Sequence, residues 1–247
     1  MSYYFLSDFH LGIPNLAKSQ EREKRIVAFL DEIRPHAKAI FLVGDLFDFW
    51  FEYKYTVPKG YVRLLGKMAE CVDEGIEVHV FTGNHDMWMF GYLQEEIGVK
   101  LHREPIVLHL DGKKFMIGHG DGLGPGDHGY KFIKKVFANK VCQWLFARLH
   151  PNFSFGLANF WSRRSRLANA ESDEIYTGDD KEYLVQYTRH FPKEQGIDFF
   201  IFGHRHLPLD MEAYPGARYI NLGDWIRYQS YAKWDGHNLE LKTHPKT

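Results

Sequence analysis

The sequence predicts a layered α/β fold, on three observations. Short apolar runs rich in β-branched and aromatic residues alternate with stretches of helical period. Five of those runs end on a small cluster of Gly, Asp, Asn and His. The chain has 247 residues, 45% hydrophobic and 16% aromatic, which suits one domain with a sizeable core.

The elements follow in order. Residues 3–7 read as a buried strand, and 19–34 carry Ile26, Phe29, Leu30 and Ile33 at helical spacing. A second strand at 39–43 runs into Gly44-Asp45. Residues 61–74 place Leu64, Leu65, Met68 and Val72 on one helical face, and a third strand at 77–81 runs into Gly83-Asn84-His85. Residues 106–110 and 114–117, split by Asp111-Gly112, predict a hairpin. Later strands are expected at 198–202, 218–221, 230–234 and 239–242.

Residues 129–189 break this rhythm, being helical in period and poor in strand signals. We expect an inserted helical cap there, over a core formed by 1–128 and 190–247. Within 131–168 stand eight bases (Lys131, Lys134, Lys135, Lys140, Arg148, Arg163, Arg164, Arg166) and no acid. Aromatics interleave with them, among them Phe132, Phe137, Trp144, Phe146, Phe153, Phe155, Phe160 and Trp161. Ile133, Phe137, Val141, Trp144 and Leu145 recur at the spacing of a buried helix face. That spacing accounts for the aromatics but not for the uncompensated bases, which suit an anionic amphiphile or membrane surface and would also fit nucleic acid. Arg163, Arg164 and Arg166 beside Trp161 are the expected phosphate contacts of a substrate.

The clusters carry the chemistry. They are Asp8-Phe9-His10, Gly44-Asp45, Gly83-Asn84-His85-Asp86, Gly118-His119-Gly120-Asp121 and Gly203-His204-Arg205-His206. A single D-x-H or H-x-H means little, but five clusters in this order, each at a strand end, predict one crevice. Asp8 and His10, two apart, can face the same side. Asp45 has two oxygens with which to bridge two ions, Asn84 offers a neutral carbonyl, and His119, His204 and His206 offer imidazoles. Mixed oxygen and nitrogen donors suit Mn, Fe, Zn or Co. Two divalent ions about 3.5–4 Å apart stabilise both the attacking and the leaving oxygen of a displacement at phosphorus. His85 is expected to neutralise a phosphoryl oxygen or protonate the leaving group, with Asp86 fixing its tautomer. Asp48 and Asp121 read equally as orienters of ligands or as loop caps. Phe47, Phe49, Trp50 and Phe51 read as core and pocket wall, and the isolated His79, His109, His190 and His237 as structural.

This set of motifs resembles the calcineurin-like metallophosphoesterases over nearly the whole chain. The resemblance implies a two-sheet αββα sandwich. It also implies one ion on Asp8, His10, Asp45 and His206, a second on Asp45, Asn84, His119 and His204, and His85 as the catalytic histidine. A closer resemblance, carried by residues 7–12, residues 44–50, His119-Gly120-Asp121, Asp127 and Tyr130, is to the UDP-2,3-diacylglucosamine hydrolases. It implies cleavage of UDP-2,3-diacylglucosamine to lipid X and UMP in lipid A biosynthesis, with two divalent ions, Mn²⁺ expected. It further implies a helical lid at the position of the insert, Asp127 and Tyr130 as substrate contacts, and peripheral association with the inner face of the cell membrane. One position departs, since that family usually reads Gly-Asn-Arg-Asp and this chain has His85 in place of the Arg.

Composition excludes several classes. Net charge is −1, so overall charge names no partner, and neither a nucleic acid nor an obligate protein partner is expected. The start has no basic, apolar leader, and no run of roughly 18 apolar residues marks a membrane span, so the enzyme is expected in the cytoplasm. Cys71 and Cys142 read as buried free thiols. The alternative substrates are a nucleotide or another small, soluble phosphodiester. A non-catalytic scaffold would have no need of the full ligand set.

Overall fold

The computed structural model describes residues 1–126, 128–169, 175–176 and 178–245. Two sheets lie face to face between helices. The first contains β1 (Ser2–Leu6), β2 (Ala37–Val43), β3 (Glu77–Phe81) and β4 (Lys100–His102), all parallel. The second contains β5 (Ile106–Leu110), β6 (Lys113–Gly118), β7 (Phe199–Phe202), β8 (Pro208–Tyr214) and β9 (Ala217–Leu222) in the order β5-β6-β7-β9-β8. Last in sequence, β10 (Ser230–Trp234) and β11 (Leu239–Thr243) return to the first sheet and give it the order β11-β10-β1-β2-β3-β4. The predicted hairpin forms between β5 and β6, and Asp111 and Gly112 both take positive φ (46° and 81°), as a tight primed turn requires.

Alternation along the strands builds three apolar layers. Tyr4, Leu6, Ile40, Leu42, Val78 and Val80 face α1 (Leu16–Ile33) and α2 (Val62–Asp73), meeting Ile26, Phe29, Leu64 and Met68. Their neighbours Tyr3, Phe5, Phe41, Val43 and Phe81 face the second sheet, meeting Phe115, Ile117, Ile201 and Ile220. Phe5 sits between Phe41 and Phe115, at centroid distances of 4.8 and 5.9 Å. Each such side chain, fully buried, contributes roughly 1.5–3 kcal/mol. On the outer face of the second sheet, Met116, Phe200, Phe202 and Tyr219 pack with Leu184 and Val185 of α6 (Tyr183–His190). The result is the αββα sandwich.

Between β6 and α6 the chain forms α3 (His128–Ala138), α4 (Lys140–Phe146) and α5 (Pro151–Asn169). Their inner aromatics meet the core. Phe146 lies 4.7 Å from Trp88 and 4.9 Å from Phe51, and Phe155 lies 5.1 Å from Phe49. The regular apolar spacing does not mark a fully buried face, because Phe132, Val141, Trp144, Leu145, Phe153 and Phe160 are exposed. Cys71 is buried and Cys142 half-buried, and both are free thiols.

Two strands escape the sequence pattern, β4 and β8, and both are sheet edges. The first has only three residues. The second opens on Pro208 and carries Asp210 and Glu212, features that suit an edge and mask a strand in sequence.

Candidate metal centre

The five clusters follow β1, β2, β3, β6 and β7, all at the carboxyl ends of parallel strands. Backbone hydrogen bonds lace the clusters together. Asp8 N–H donates to the Gly44 oxygen (3.1 Å), His10 N–H to the Asp45 oxygen (2.9 Å) and Gly203 N–H to the His119 oxygen (3.0 Å). Asp8, His10, Asp45, His204 and His206 all have φ between 43° and 69°. Non-glycine residues avoid that left-handed region, and its concentration on five proposed ligands marks a site built against local preference.

The glycines before the ligands clear their way. A Cβ on Gly83 would collide with the Asp45 carboxylate, and one on Gly203 would collide with Ser7 Oγ and Asp8 Oδ2. A Cβ on Gly44 would likewise meet the His119 ring, so the second, third and fifth motifs open on a residue small enough to admit a proposed ligand of another motif.

The donor atoms converge in two groups that share Asp45. Asp8, His10, Asp45 and His206 form one, and Asp45, His119 and His204 form the other; His10, Asp48 and His85 make a third group without Asp45, and candidate ligand atoms in each group lie within 4.8 Å of one another. Asp45 Oδ2 lies 3.7 Å from His10 Nε2 and 3.4 Å from His119 Nε2. Asn84 joins the second group through Oδ1, 3.2 Å from His119 Nε2. In the first, His206 Nε2 lies 3.1 Å from Asp8 Oδ1 and 3.0 Å from His10 Nε2.

Hydrogen bonds fix the other atom of several ligands. Asp8 Oδ2 accepts from Ser7 Oγ–H (2.5 Å) and His204 N–H (3.0 Å), and Asp45 Oδ1 accepts from His85 N–H (2.9 Å). His119 donates Nδ1–H to the Val43 oxygen (2.9 Å), which turns Nε2 toward the crevice. Asp8 Oδ1 and Asp45 Oδ2, both buried, accept no hydrogen bond at all. Orphaned buried carboxylate oxygens are costly, and a pair aimed at converging imidazoles fits cation binding. The donors are oxygens and imidazole nitrogens, as a divalent metal of the Mn, Fe or Zn type requires.

Electrostatics agree. Burial works against charge on His10, yet Asp48, Asp8 and Asp45 raise its pKa to about 10. Burial likewise opposes Asp45, and the histidines around it, His119 first, outweigh that and pull it below the ordinary carboxylate range. His119 is raised to about 10, against its burial, chiefly by Asp45. Burial and then His119 push His204 down to about 4. The site is therefore polarised before any ion is considered, with ionised carboxylates held against protonated imidazoles.

His85 stands beside the first group, its ring 4.9 Å from that of His10 and edge-on to it. The expected contact with Asp86 does not form. Asp86 is wholly buried, and its carboxylate accepts from the amides of Leu46 (2.7 Å), Phe47 (3.2 Å) and Gly83 (2.7 Å), stapling the second motif to the third. His85 instead turns Nδ1 to the Asp48 backbone oxygen at 3.1 Å. An oxygen of that kind only accepts, so Nδ1 carries the proton.

Asp48 lies behind both histidines, with Oδ1 3.8 Å from His10 Nδ1 and 3.7 Å from His85 Nδ1. Asp121 Oδ2 accepts from Tyr130 Oη–H (2.6 Å) and sits 2.7 Å from Lys134 Nζ, which ties α3 to the fourth motif. Tyr130 also lies over His204, 6.4 Å between centroids. Asp127 lies outside the described residues, as do the side chains of Arg163, Arg164 and Arg166.

Two residues of the site carried no sequence signal. Arg22, buried on α1, donates to the backbone oxygens of Phe9 (2.6 Å), His10 (2.5 Å) and Ile13 (2.7 Å), and so holds the first ligand loop. Ser162 on α5 reaches Asp48 and His85 from the insert. Neither sits in a cluster. A helical Arg in polar sequence is usually solvated, and a lone Ser carries no pattern.

Known proteins with similar sequences extend the geometry. The calcineurin-like phosphoesterase family matches residues 1–208, through β7 and its His204 and His206. The chain is 42% identical to a UDP-2,3-diacylglucosamine hydrolase of Porphyromonas gingivalis, over 97% of this chain and 96% of that one. It is 27% identical to proteins of the same name from Aeromonas salmonicida (93% and 88% covered) and Yersinia pseudotuberculosis (99% and 100% covered). Among solved structures it is similar to Yfce, a phosphoesterase from E. coli, at 15% identity and a TM-score of 0.47, covering 97% of this chain and 91% of that one. Five ligand clusters on adjoining strand ends and a family match running through all of them lead to one assignment: the chain belongs to the calcineurin-like phosphoesterase family.

Proposed function

We propose that this chain is a two-metal hydrolase that cleaves the pyrophosphate of UDP-2,3-diacylglucosamine to lipid X and UMP, a step of lipid A biosynthesis, with Mn²⁺ as its ion. Asp8, His10, Asp45 and His206 hold one ion, and Asp45, Asn84, His119 and His204 hold the other. The observation that carries the two-metal reading is the orphaned Asp45 Oδ2 lying between His10 and His119. The substrate reading is supported by the 42% identical relative, which is named for that activity.

The bound ions supply Lewis-acid stabilisation of charge at phosphorus and an activated water. The chain's own residues do the rest. Asp8 and Asp45, each held by one oxygen, keep the donor set fixed, so that no reorganisation is needed as charge develops. His85, with its proton held at Nδ1, presents Nε2 to a phosphoryl or leaving oxygen, and can serve it as a hydrogen-bond donor only when protonated. Burial lowers its pKa, although Asp45 and Asp48 favour the charged form.

The cap, proposed as the insert within 129–189, takes the lipid end. Phe132, Val141, Trp144, Leu145, Phe153 and Phe160 are exposed among bases, a surface that suits acyl chains and anionic headgroups. The enzyme accordingly works from the cytoplasm as a peripheral protein on the inner face of the membrane. Among the described residues no helix is long and apolar enough to cross a membrane.

The test is UMP release from UDP-2,3-diacylglucosamine beside hydrolysis of a small phosphodiester, both with Mn²⁺. Turnover of the lipid nucleotide far above that of the diester supports the reading. Turnover of the diester alone returns the enzyme to a soluble substrate.

A further inference from the structure

Ser162 is the one side chain among the described residues of α5 that reaches the machinery behind the metal site. It is buried, and its Oγ lies 3.0 Å from Asp48 Oδ2 and 3.3 Å from His85 Nδ1. Helical serines commonly turn their hydroxyl back to a carbonyl one turn earlier. This one crosses to a residue 114 positions away.

The chemistry fixes the direction of the chain. The Asp48 carboxylate can only accept, so the Ser162 hydroxyl hydrogen points to Oδ2. The same hydroxyl oxygen is then an acceptor toward His85, whose Nδ1–H it shares with the Asp48 backbone oxygen. A continuous path results, from His85 Nδ1–H to Ser162 Oγ–H to Asp48 Oδ2. Asp48 in turn stands behind His10 on its other oxygen. The ring of His85 is thus set by three elements: the loop after β2 that carries Asp48, the edge of His10 after β1, and α5 from the insert.

We propose that Ser162 is a positioning residue for His85, and that through it the inserted helix α5 completes the catalytic site rather than only covering it. The proposal rests on His85 acting at phosphorus, as described above. It matters in this chain because an imidazole must be held in one tautomer and one orientation to act from Nε2. A guanidinium, the usual group at this position in the resembling hydrolases, has donors on every edge and no tautomer to hold.

The test is a double-mutant cycle of Ser162→Ala and His85→Ala on the Mn²⁺-loaded full chain. Hydrolysis of bis(p-nitrophenyl) phosphate and of UDP-2,3-diacylglucosamine is measured together with metal content. Ser162→Ala is expected to lower kcat roughly tenfold on both substrates, the lower end for removing a partner behind a functional group. KM and metal content should stay as they were, and Ser162→Thr should restore the rate. In the His85→Ala background Ser162→Ala should cost nothing further. With diamagnetic Zn²⁺ in place of Mn²⁺, the ¹⁵N resonance of His85 Nδ1 should shift in Ser162→Ala, which leaves Nδ1–H the Asp48 backbone oxygen alone. Ser162→Cys, nearly isosteric, carries the same cycle if Ser162→Ala does not fold.

Equal losses from Ser162→Ala with and without His85 would overturn the proposal, since Ser162 would then act by another route. A rise in KM confined to the lipid substrate would also overturn it and make Ser162 a substrate contact. Unchanged turnover in His85→Ala would remove His85 from the mechanism, a failure of the underlying reading that the single variant reveals by itself.

Discussion

At the scale of single residues the site is a balance of proton and metal. His10 and His119 are held protonated by the carboxylates around them, each up to about 10, although burial opposes it. An imidazole nitrogen must shed its proton to ligate a cation, so binding at neutral pH releases protons. Because the folded pKa values lie above neutrality, apparent metal affinity should climb as pH rises from about 6 to 9, and fall as pH drops. Calorimetric titration with Mn²⁺ in two buffers of different ionisation enthalpy checks this, since their enthalpies should differ by the protons released. Affinity independent of pH over that range would mean that these rings do not ligate. His85 makes a second prediction, because it is proposed to act beside the ligands rather than as one, although its ring groups with His10 and Asp48. His85→Ala should keep its metals and lose roughly 10²–10⁴ in kcat, the range for a positioned acid or base. Loss of metal in that variant would make His85 a ligand. The convergence of the proposed ligands was legible because hard donors at successive strand ends leave a pattern. Their left-handed φ values were not, since nothing in Asp8 or His206 announces the turn it makes. Asp86 was misplaced for a similar reason. Adjacency in sequence suggested a partner for His85, while the turn after β3 aims the carboxylate at the amides of Leu46, Phe47 and Gly83.

Among the elements, the strands and helices of the core were legible wherever burial imposes a period. β1, β2 and β3 are buried on both faces and read as apolar runs. The edges β4 and β8 were hidden, because an edge strand needs neither a long run nor strict alternation. The helical character of residues 131–168 was legible, but their spacing alone could not say which aromatics stay outside. The structure puts Phe146 and Phe155 against Phe51 and Phe49, and leaves Trp144 exposed with Arg148 stacked over it at 4.7 Å. Two of the eight bases are engaged with the fourth motif's loop: Lys131 donates to the Gly124 oxygen (2.6 Å) and Lys134 to the Asp121 oxygen (3.1 Å). Arg163, Arg164 and Arg166 remain the proposed phosphate contacts. Replacing all three by Gln should weaken hydrolysis of UDP-2,3-diacylglucosamine far more than that of a small diester. Binding to anionic vesicles should fall in parallel, by about 1 kcal/mol per base near the surface, and should weaken with salt. Equal loss on both substrates would make the arginines structural, and no loss on either would make them a solvated face.

For the whole molecule, two sheets bring strand ends that are far apart in sequence to one crevice. Residues near 8, 45, 84, 119 and 204 meet there because β1, β2, β3, β6 and β7 run parallel within their sheets. The helices between β6 and α6 add α5 behind His85 and an outer face with exposed apolar side chains. The proposed function requires a site that holds two ions through a shared Asp45 and hydrolyses a lipid-linked pyrophosphate. The most direct measurement is UMP release from UDP-2,3-diacylglucosamine as Mn²⁺ is titrated into metal-stripped protein. A two-ion site predicts no turnover without metal and a plateau at two ions per chain. In Asp45→Ala it predicts a loss of roughly 10³-fold, since Lewis-acid stabilisation is worth several kcal/mol and each 1.36 is about tenfold. A plateau at one ion per chain, or a folded Asp45→Ala protein that still bound two ions and released UMP at the parent rate, would contradict it.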